Sequence, residues 1–307
     1  MSDTARPNPH DRFCRAVFGR TGIAVDFIAN YVPADVAARL DLSTLTLAGE
    51  SMVDSDLRES FSDLLFTVML KNGDPAAIYI LFEHKSFADS MTGFQLLRYI
   101  VRIYEQRRRD GLPICCVIPI VIYHGKKAWG GPPSLAELAN APEELRRYFP
   151  AFEAIVIDVS HRSDSQLRGS AILQAILLLL KYASDEGFRD RLPGIVDLFH
   201  NVLNEPDGLE CMKTVVSYIM NVSPGITRAE LSRVIIISLE SKGEKIVATI
   251  ADVLREEGRE EGRLIGQIQL FQSMLNEPET AHELLNALTH DELTKLRKEL
   301  SERWNSR

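Results

Sequence analysis

The stretch "SDLLFTVMLKNGDPAAIYILFEHKS", residues 62–86, decides how the chain is read. Two near-continuous apolar runs, rich in β-branched and aromatic residues, flank "NGDP", a strong turn signal. The runs read as a β-hairpin with both faces largely buried. Against that background three polar residues stand out. Asp63 lies early on the first strand, and Glu83 and Lys85 lie late on the second. Glu83 and Lys85 are two apart and therefore share one face. In a hairpin the start of one strand lies beside the end of the next, so Asp63 and Glu83 are expected to converge at one sheet edge. Two carboxylates at one point suit a hard divalent cation such as Mg²⁺ or Mn²⁺. A lysine beside them suits the orientation of a water and the stabilisation of charge on a phosphate.

Outward from the hairpin, the pattern is α/β. "HDRFCRAVFG" and "VDFIANYV" have helical spacing, and "DLSTLTLAGESMV" alternates like a strand. After the hairpin, "DSMTGFQLLRYIVRIYEQRRRDG" reads as a helix, with Phe94, Leu97, Ile100, Val101 and Tyr104 as its apolar stripe. "ICCVIPIVIYHG" and "AIVIDV" read as further strands. The expected fold is a mixed sheet flanked by helices over residues 10–160. Residues 161–240 read as a helical extension packed on that core. Residues 241–307 read as a charged helical region ending in a small helical hairpin. There Gly258, Gly262 and Gly266 recur every four residues and would line one helix face. They suit either close approach of a partner helix or a weak exposed helix, each Gly costing about 1 kcal/mol against Ala.

Composition narrows the function classes. The net charge is −8, so nucleic-acid binding would need a local basic patch. Such a patch is present: Arg98, Arg102, Arg107, Arg108 and Arg109 follow one another along the helix after the hairpin. Lys126 and Lys127, in "YHGKKAW", read as loop residues that reach phosphate or stay solvated, and His124 reads as part of the same loop. The four cysteines show neither zinc spacing nor a disulfide frame. No signal-peptide run opens the chain, and no apolar run reaches membrane length. A cytoplasmic protein without membrane contact is expected.

The polar triplet, D-x19-E-x-K on strand, turn and strand followed by a helix, resembles the PD-(D/E)XK nuclease superfamily, with a restriction-endonuclease-like core. Gln95 and Tyr99 in "QLLRY" resemble the Q-x-x-x-Y element that some of these nucleases carry. More closely, "HDRFCRAVFG", "SDLLF", "YILFEHKS", "FQLLRY", "IPIVIYHGKKAW" and "EEGREEGRLIGQ" resemble the Rpn family of recombination-promoting nucleases. That resemblance spans roughly residues 10–270 and is densest before residue 130. It implies a metal-dependent DNA endonuclease. Asp63 and Glu83 would bind Mg²⁺ or Mn²⁺, Lys85 would be catalytic, and Gln95 and Tyr99 would support the site. Asp11 is a further candidate metal ligand, although an acid in the first turn of a helix is also favoured by the helix dipole. Many members have Gln at the position of Lys85 and Arg at that of Gln95. Here Lys85 restores the parent nuclease signature. Low sequence specificity and a homodimer through the C-terminal helices are expected. Two rival readings stay open: a transposase with a D-D-E site, and a non-catalytic DNA-binding or interaction protein.

Overall fold

The computed structural model describes residues 9–48, 64–83, 89–200, 202–204, 208–286, 288 and 290–306. Its elements run α1 (Pro9–Phe18), α2 (Thr21–Tyr31), α3 (Ala34–Ala37), β1 (Leu40–Leu47), β2 (Leu64–Leu70), β3 (Pro75–Glu83), α4 (Thr92–Arg109), β4 (Cys116–Tyr123), α5 (Leu135–Leu138), α6 (Glu143–Arg146) and β5 (Ile155–Asp158). Helices follow: α7 (Ala171–Tyr182), α8 (Phe188–Asp197), α9 (Gly208–Val222), α10 (Arg228–Leu239), α11 (Gly243–Met274), α12 (His282–Leu285) and α13 (His290–Asn305). The chain thus has the α/β fold the sequence predicts, a mixed sheet flanked by helices.

The sheet has the order β1-β2-β3-β4-β5. β1, β2 and β3 are antiparallel neighbours, while β3, β4 and β5 run parallel. The change of sense follows from the connections. A tight turn joins β2 to β3, whereas α4 carries the chain back across the sheet to β4. At the turn, Gly73 takes φ +90, a left-handed conformation that glycine adopts at low cost. Asn72 and Asp74 bond one another there, through Asn72 Nδ2 to Asp74 Oδ2 at 2.8 Å and Asp74 N to Asn72 Oδ1 at 3.1 Å.

Both faces of the central strands are buried. Ile78, Ile80, Ile120 and Ile122 are fully covered on one face. On the other, Tyr79, Leu81 and Val121 pack with Leu96, Tyr99 and Ile103 of α4. The stripe that α4 buries is therefore Leu96, Tyr99, Ile100, Ile103 and Arg107, not the stripe read from the sequence. Phe94 is 49% exposed and Val101 is exposed as well. Both stripes satisfy helical spacing and both include Ile100. Packing favours the first: a Cβ on Gly93 would meet the Pro133 carbonyl oxygen at 2.9 Å, so this glycine lets the start of α4 lie against the loop after β4.

The helices α7 to α10 belong with the sheet. Residues Pro7–Leu239 form one compact unit, and Glu240–Arg307 group in a second. In the first, α2 holds the loop before α7. Tyr31 OH accepts from Arg168 N at 2.7 Å, and Asp26 Oδ2 accepts from Ser170 N at 2.8 Å. In the second, α11 and α13 bury Leu264, Ile265, Ile268, Leu293 and Leu300. The long partner of α13 is thus α11, and the tail holds two successive helices, α12 and α13. Among the described residues no helix is long and apolar enough to cross a membrane.

Candidate active site

Parallel strands bring their C-terminal ends to one edge, and in open α/β sheets ligands bind outside that edge. Here Glu83 is the last residue of β3 and pairs with Tyr123, the last of β4, which pairs with Asp158, the last of β5. The three residues form one row across three strands, spaced about 4.8 Å per strand. β2 runs antiparallel to β3 and begins at the same edge, with Leu64 opposite Ile80. Asp63 and Lys85 lie outside the described residues, and of Glu83 only the backbone is described.

Three other segments reach this edge. α4 starts here, with Gln95 half-buried in its first turn. The loop after β4 carries Lys126 and Lys127, both exposed, and Tyr123 OH donates to the Lys127 carbonyl at 2.8 Å. α1 enters here as well: the His10 ring lies 5.0 Å from that of His124, the residue after β4. Asp11, half-buried in the first turn of α1, therefore belongs to the same end of the sheet. His124 lies in the loop after β4, as the sequence suggests, and is buried there. His10 Nδ1 shares a 2.8 Å hydrogen bond with Tyr218 OH, and Tyr218 stacks on Phe13. Burial, and then the Asp11 carboxylate, push the Cys14 thiol well above its ordinary range. Cys14 is therefore a protonated core residue rather than a nucleophile.

The residues along α4 separate. Tyr99 is 2% exposed and packs on Tyr79, with ring centroids 4.8 Å apart, as a core residue. Arg98 is exposed, its guanidinium 5.7 Å from the Tyr99 ring. Arg102 is half-buried. Arg107 is 8% exposed and donates from Nε to the Pro113 carbonyl at 2.7 Å, tying the end of α4 to the chain before β4. Arg108 and Arg109 are exposed, and Arg109 bonds Gln106 at 2.7 Å. With a rise of 1.5 Å per residue, these three arginines lie about 20 Å from Gln95, toward the opposite sheet edge.

Sequence reasoning missed Asp158 and His161. Asp158 is 16% exposed, and its oxygens accept from Trp129 N at 3.2 Å, His161 N at 3.2 Å and His161 Nδ1 at 2.9–3.0 Å. Its signal was legible: an acid ends the apolar run "AIVID", as Glu83 ends "YILFE". Next to it, Lys181 donates to the Arg162 carbonyl at 2.6 Å and to Asp164 Oδ1 at 2.8 Å, and Tyr182 OH donates to the same Asp164 oxygen at 2.6 Å. Partial burial pushes the Asp164 carboxyl up. The bonds from Lys181 and Tyr182 and the charges of Lys181 and Arg191 outweigh it, and its pKa lies below the ordinary aspartate value.

For a divalent cation the residue types are suitable, since Asp11 and Glu83 are acids whose backbones belong to one end of the sheet. Among the described residues, however, no group of three or more His, Cys, Asp or Glu is placed to hold a metal. Asp158 adds an acid to this edge, but its oxygens are engaged by nitrogen donors.

Comparison with known proteins gives a consistent result. Residues 8–210 match the family described as "Putative transposase, YhgA-like". The chain is 29% identical over 276 residues to Recombination-promoting nuclease RpnA of Escherichia coli (strain K12), covering 88% of this chain and 91% of that protein. It is 30% identical over 206 residues to Recombination-promoting nuclease RpnD of Escherichia coli O157:H7, covering 62% and 75%. It is also 24% identical over 267 residues to Inactive recombination-promoting nuclease-like protein RpnE of strain K12, covering 85% and 86%. No solved structure matches.

Proposed function

The chain belongs to the YhgA-like transposase family, and from that premise we propose that it is a divalent-metal-dependent DNA endonuclease of low sequence specificity that promotes recombination. At the coarser level, two relatives are named as recombination-promoting nucleases, which supports a nuclease role for the family. The observation that carries the finer reading is the gathering of β2's start, β3's end at Glu83 and the first turn of α1 at one edge of a mixed sheet. The E-x-K spacing from Glu83 to Lys85 agrees with it.

Asp63 and Glu83, with Asp11 as a further acid, are the residues proposed to hold Mg²⁺ or Mn²⁺. When bound, the ion supplies Lewis-acid polarisation of a phosphate oxygen and a more acidic water. Lys85 orients the attacking water and stabilises charge on the phosphate. Gln95 fixes polar groups at the start of α4. Arg98, Arg102, Arg108, Arg109, Lys126 and Lys127 meet the DNA backbone. Contacts of this kind position a duplex without reading its sequence, hence the low specificity.

Plasmid cleavage by the wild type and Lys85→Ala with Mg²⁺, Mn²⁺ or EDTA tests the reading. Nicking or linearisation that requires metal and disappears in the variant is the expected result. Metal-dependent strand transfer between paired ends would favour the D-D-E transposase. The relative named as inactive makes a non-catalytic DNA-binding role the other rival, favoured if neither protein cleaves under any condition.

We also propose a homodimer through the face of α11 that carries Gly258, Gly262 and Gly266. All three are exposed, and a Cβ on any of them meets nothing within 4 Å. Light scattering at micromolar concentration should give twice the chain mass, and the triple Gly→Ala variant should shift it toward monomer. A monomeric wild type would contradict the dimer. The expected response of an unpartnered helix is the opposite, a stability gain of about 0.5–1 kcal/mol per substitution with no change of mass.

A further inference from the structure

The site edge carries a cleft of about 480 Å³, lined by the loop after β4, the loop after β5 and the end of α7. Its polar lining divides into committed and uncommitted groups. Lys181 and Tyr182 are bound to Asp164, as described above. The Lys126 ammonium and the hydroxyls of Ser160 and Ser184 have no partner among the described residues. His161 is held on one side only. Its Nδ1–H is directed to Asp158, an acceptor, and Nε2 is left for a ligand. Asp158 is itself fixed by the backbone N–H groups of Trp129 and His161, so the ring orientation is set before any ligand arrives. His161 is 37% exposed and Asp158 16%, which makes the histidine the accessible member of the pair.

We propose that this cleft is a backbone-phosphate subsite, with Lys126 and His161 as its contact groups and Asp158 as the positioning residue. The ligand class follows from the donors. A cation, an imidazole able to donate from Nε2 when doubly protonated, and two hydroxyls together satisfy the oxygens of a phosphate. Among the described residues lining the cleft, Asp185 carries the one carboxylate. The identity of the phosphate as one of DNA rests on the nuclease reading above. So does its place on the strand: β5 lies two strand spacings, about 10 Å, from β3, which puts the subsite within a few nucleotides of the carboxylates. The subsite would thus hold a phosphate a few nucleotides from the bond to be cut, fixing the register of the strand at the carboxylates.

The test is fluorescence anisotropy of a labelled mixed-sequence duplex with the full chain, in EDTA to prevent turnover, over a salt titration. The proteins are wild type, Lys126→Ala, His161→Ala, His161→Gln and Lys71→Ala, the last removing one exposed charge beside the β2–β3 turn. Lys126→Ala and His161→Ala are each expected to weaken binding about three- to tenfold. Lys126→Ala should also lower the slope of log K against log salt by about 0.9, the value for one phosphate contact. His161→Gln, which keeps a donor, should recover part of the loss, and Lys71→Ala should behave as wild type. Binding within twofold of wild type in both cleft variants, or no duplex binding by the wild type, overturns the subsite. Plasmid cleavage with Mg²⁺ by the same preparations separates the two readings. A wild type that cleaves while the cleft variants bind normally removes only the subsite. Loss of binding in the cleft variants without cleavage by the wild type removes the nuclease and leaves the phosphate site.

Discussion

The two edges of the sheet are built from the same strands and differ in what ends there. At one edge β2 turns into β3 through Asn72, Gly73 and Asp74, and α4 closes with Arg107 bonded to the Pro113 carbonyl. Its polar groups stabilise a turn and a helix end. At the other edge the parallel strands stop at Glu83, Tyr123 and Asp158, and the first turns of α1 and α4 face them. There, polar residues terminate strands whose interiors are apolar on both faces, and Asp158 also accepts from the backbone N–H groups of His161 and Trp129. The contrast teaches that polar residues at strand ends carry meaning according to the edge. Where a chain reverses tightly they satisfy the backbone, and where crossovers leave a sheet open they also orient a side chain, as Asp158 does His161 beside the cleft.

The largest expected effect tests this contrast directly. Lys85→Ala or Asp63→Ala should lower metal-dependent plasmid cleavage about a thousandfold, whereas Lys71→Ala, beside the β2–β3 turn, should change it less than about threefold. Comparable losses at both sites would break the distinction between the edges. Next in size, Tyr99→Ala should destabilise the protein by about 3 kcal/mol in chemical denaturation, because it empties a buried aromatic site against Tyr79. Gln95→Ala should leave stability within about 0.5 kcal/mol and lower cleavage instead. The reverse result would move Tyr99 from the core into the site. The smallest effect concerns pH. The folded pKa of Asp164 is lowered, so its contribution is present above the ordinary aspartate range and is lost as pH falls through that lowered value. Asp164 is nearly half exposed, so solvent screening keeps the contribution under about 1 kcal/mol. Asp164→Asn should therefore cost stability at neutral pH and converge with the wild type in acid. A constant difference across that range would show that the pair does not act through charge.

Much of the frame was legible in residue order. The hairpin followed from "NGDP" between two apolar runs, and α4, β4 and β5 from the periodicity after it. The wrong stripe on α4 has a definite cause. Phe94, Leu97, Val101 and Tyr104 are as apolar as the residues actually buried, and a helix of 3.6 residues per turn accommodates either set. Only the approach of Gly93 to Pro133 and the packing of Tyr99 on Tyr79 distinguish them. The burial of His124 within its loop was not legible for a related reason: nothing local shows that α1, more than a hundred residues earlier, covers it.

By itself, the sequence determined the α/β class, the order of the elements and the position of an acid at the end of each of two apolar runs. These follow from local propensity and from the periodicity of burial, which short stretches contain. Tertiary structure alone decided that β3, β4 and β5 lie side by side and parallel, that Glu83 and Asp158 share a row, and that Asp158 holds His161 over a cleft shared with α7. Those contacts join segments far apart in the chain. The free energy that selects them comes from packing the whole sheet between its helices, which no local stretch encodes.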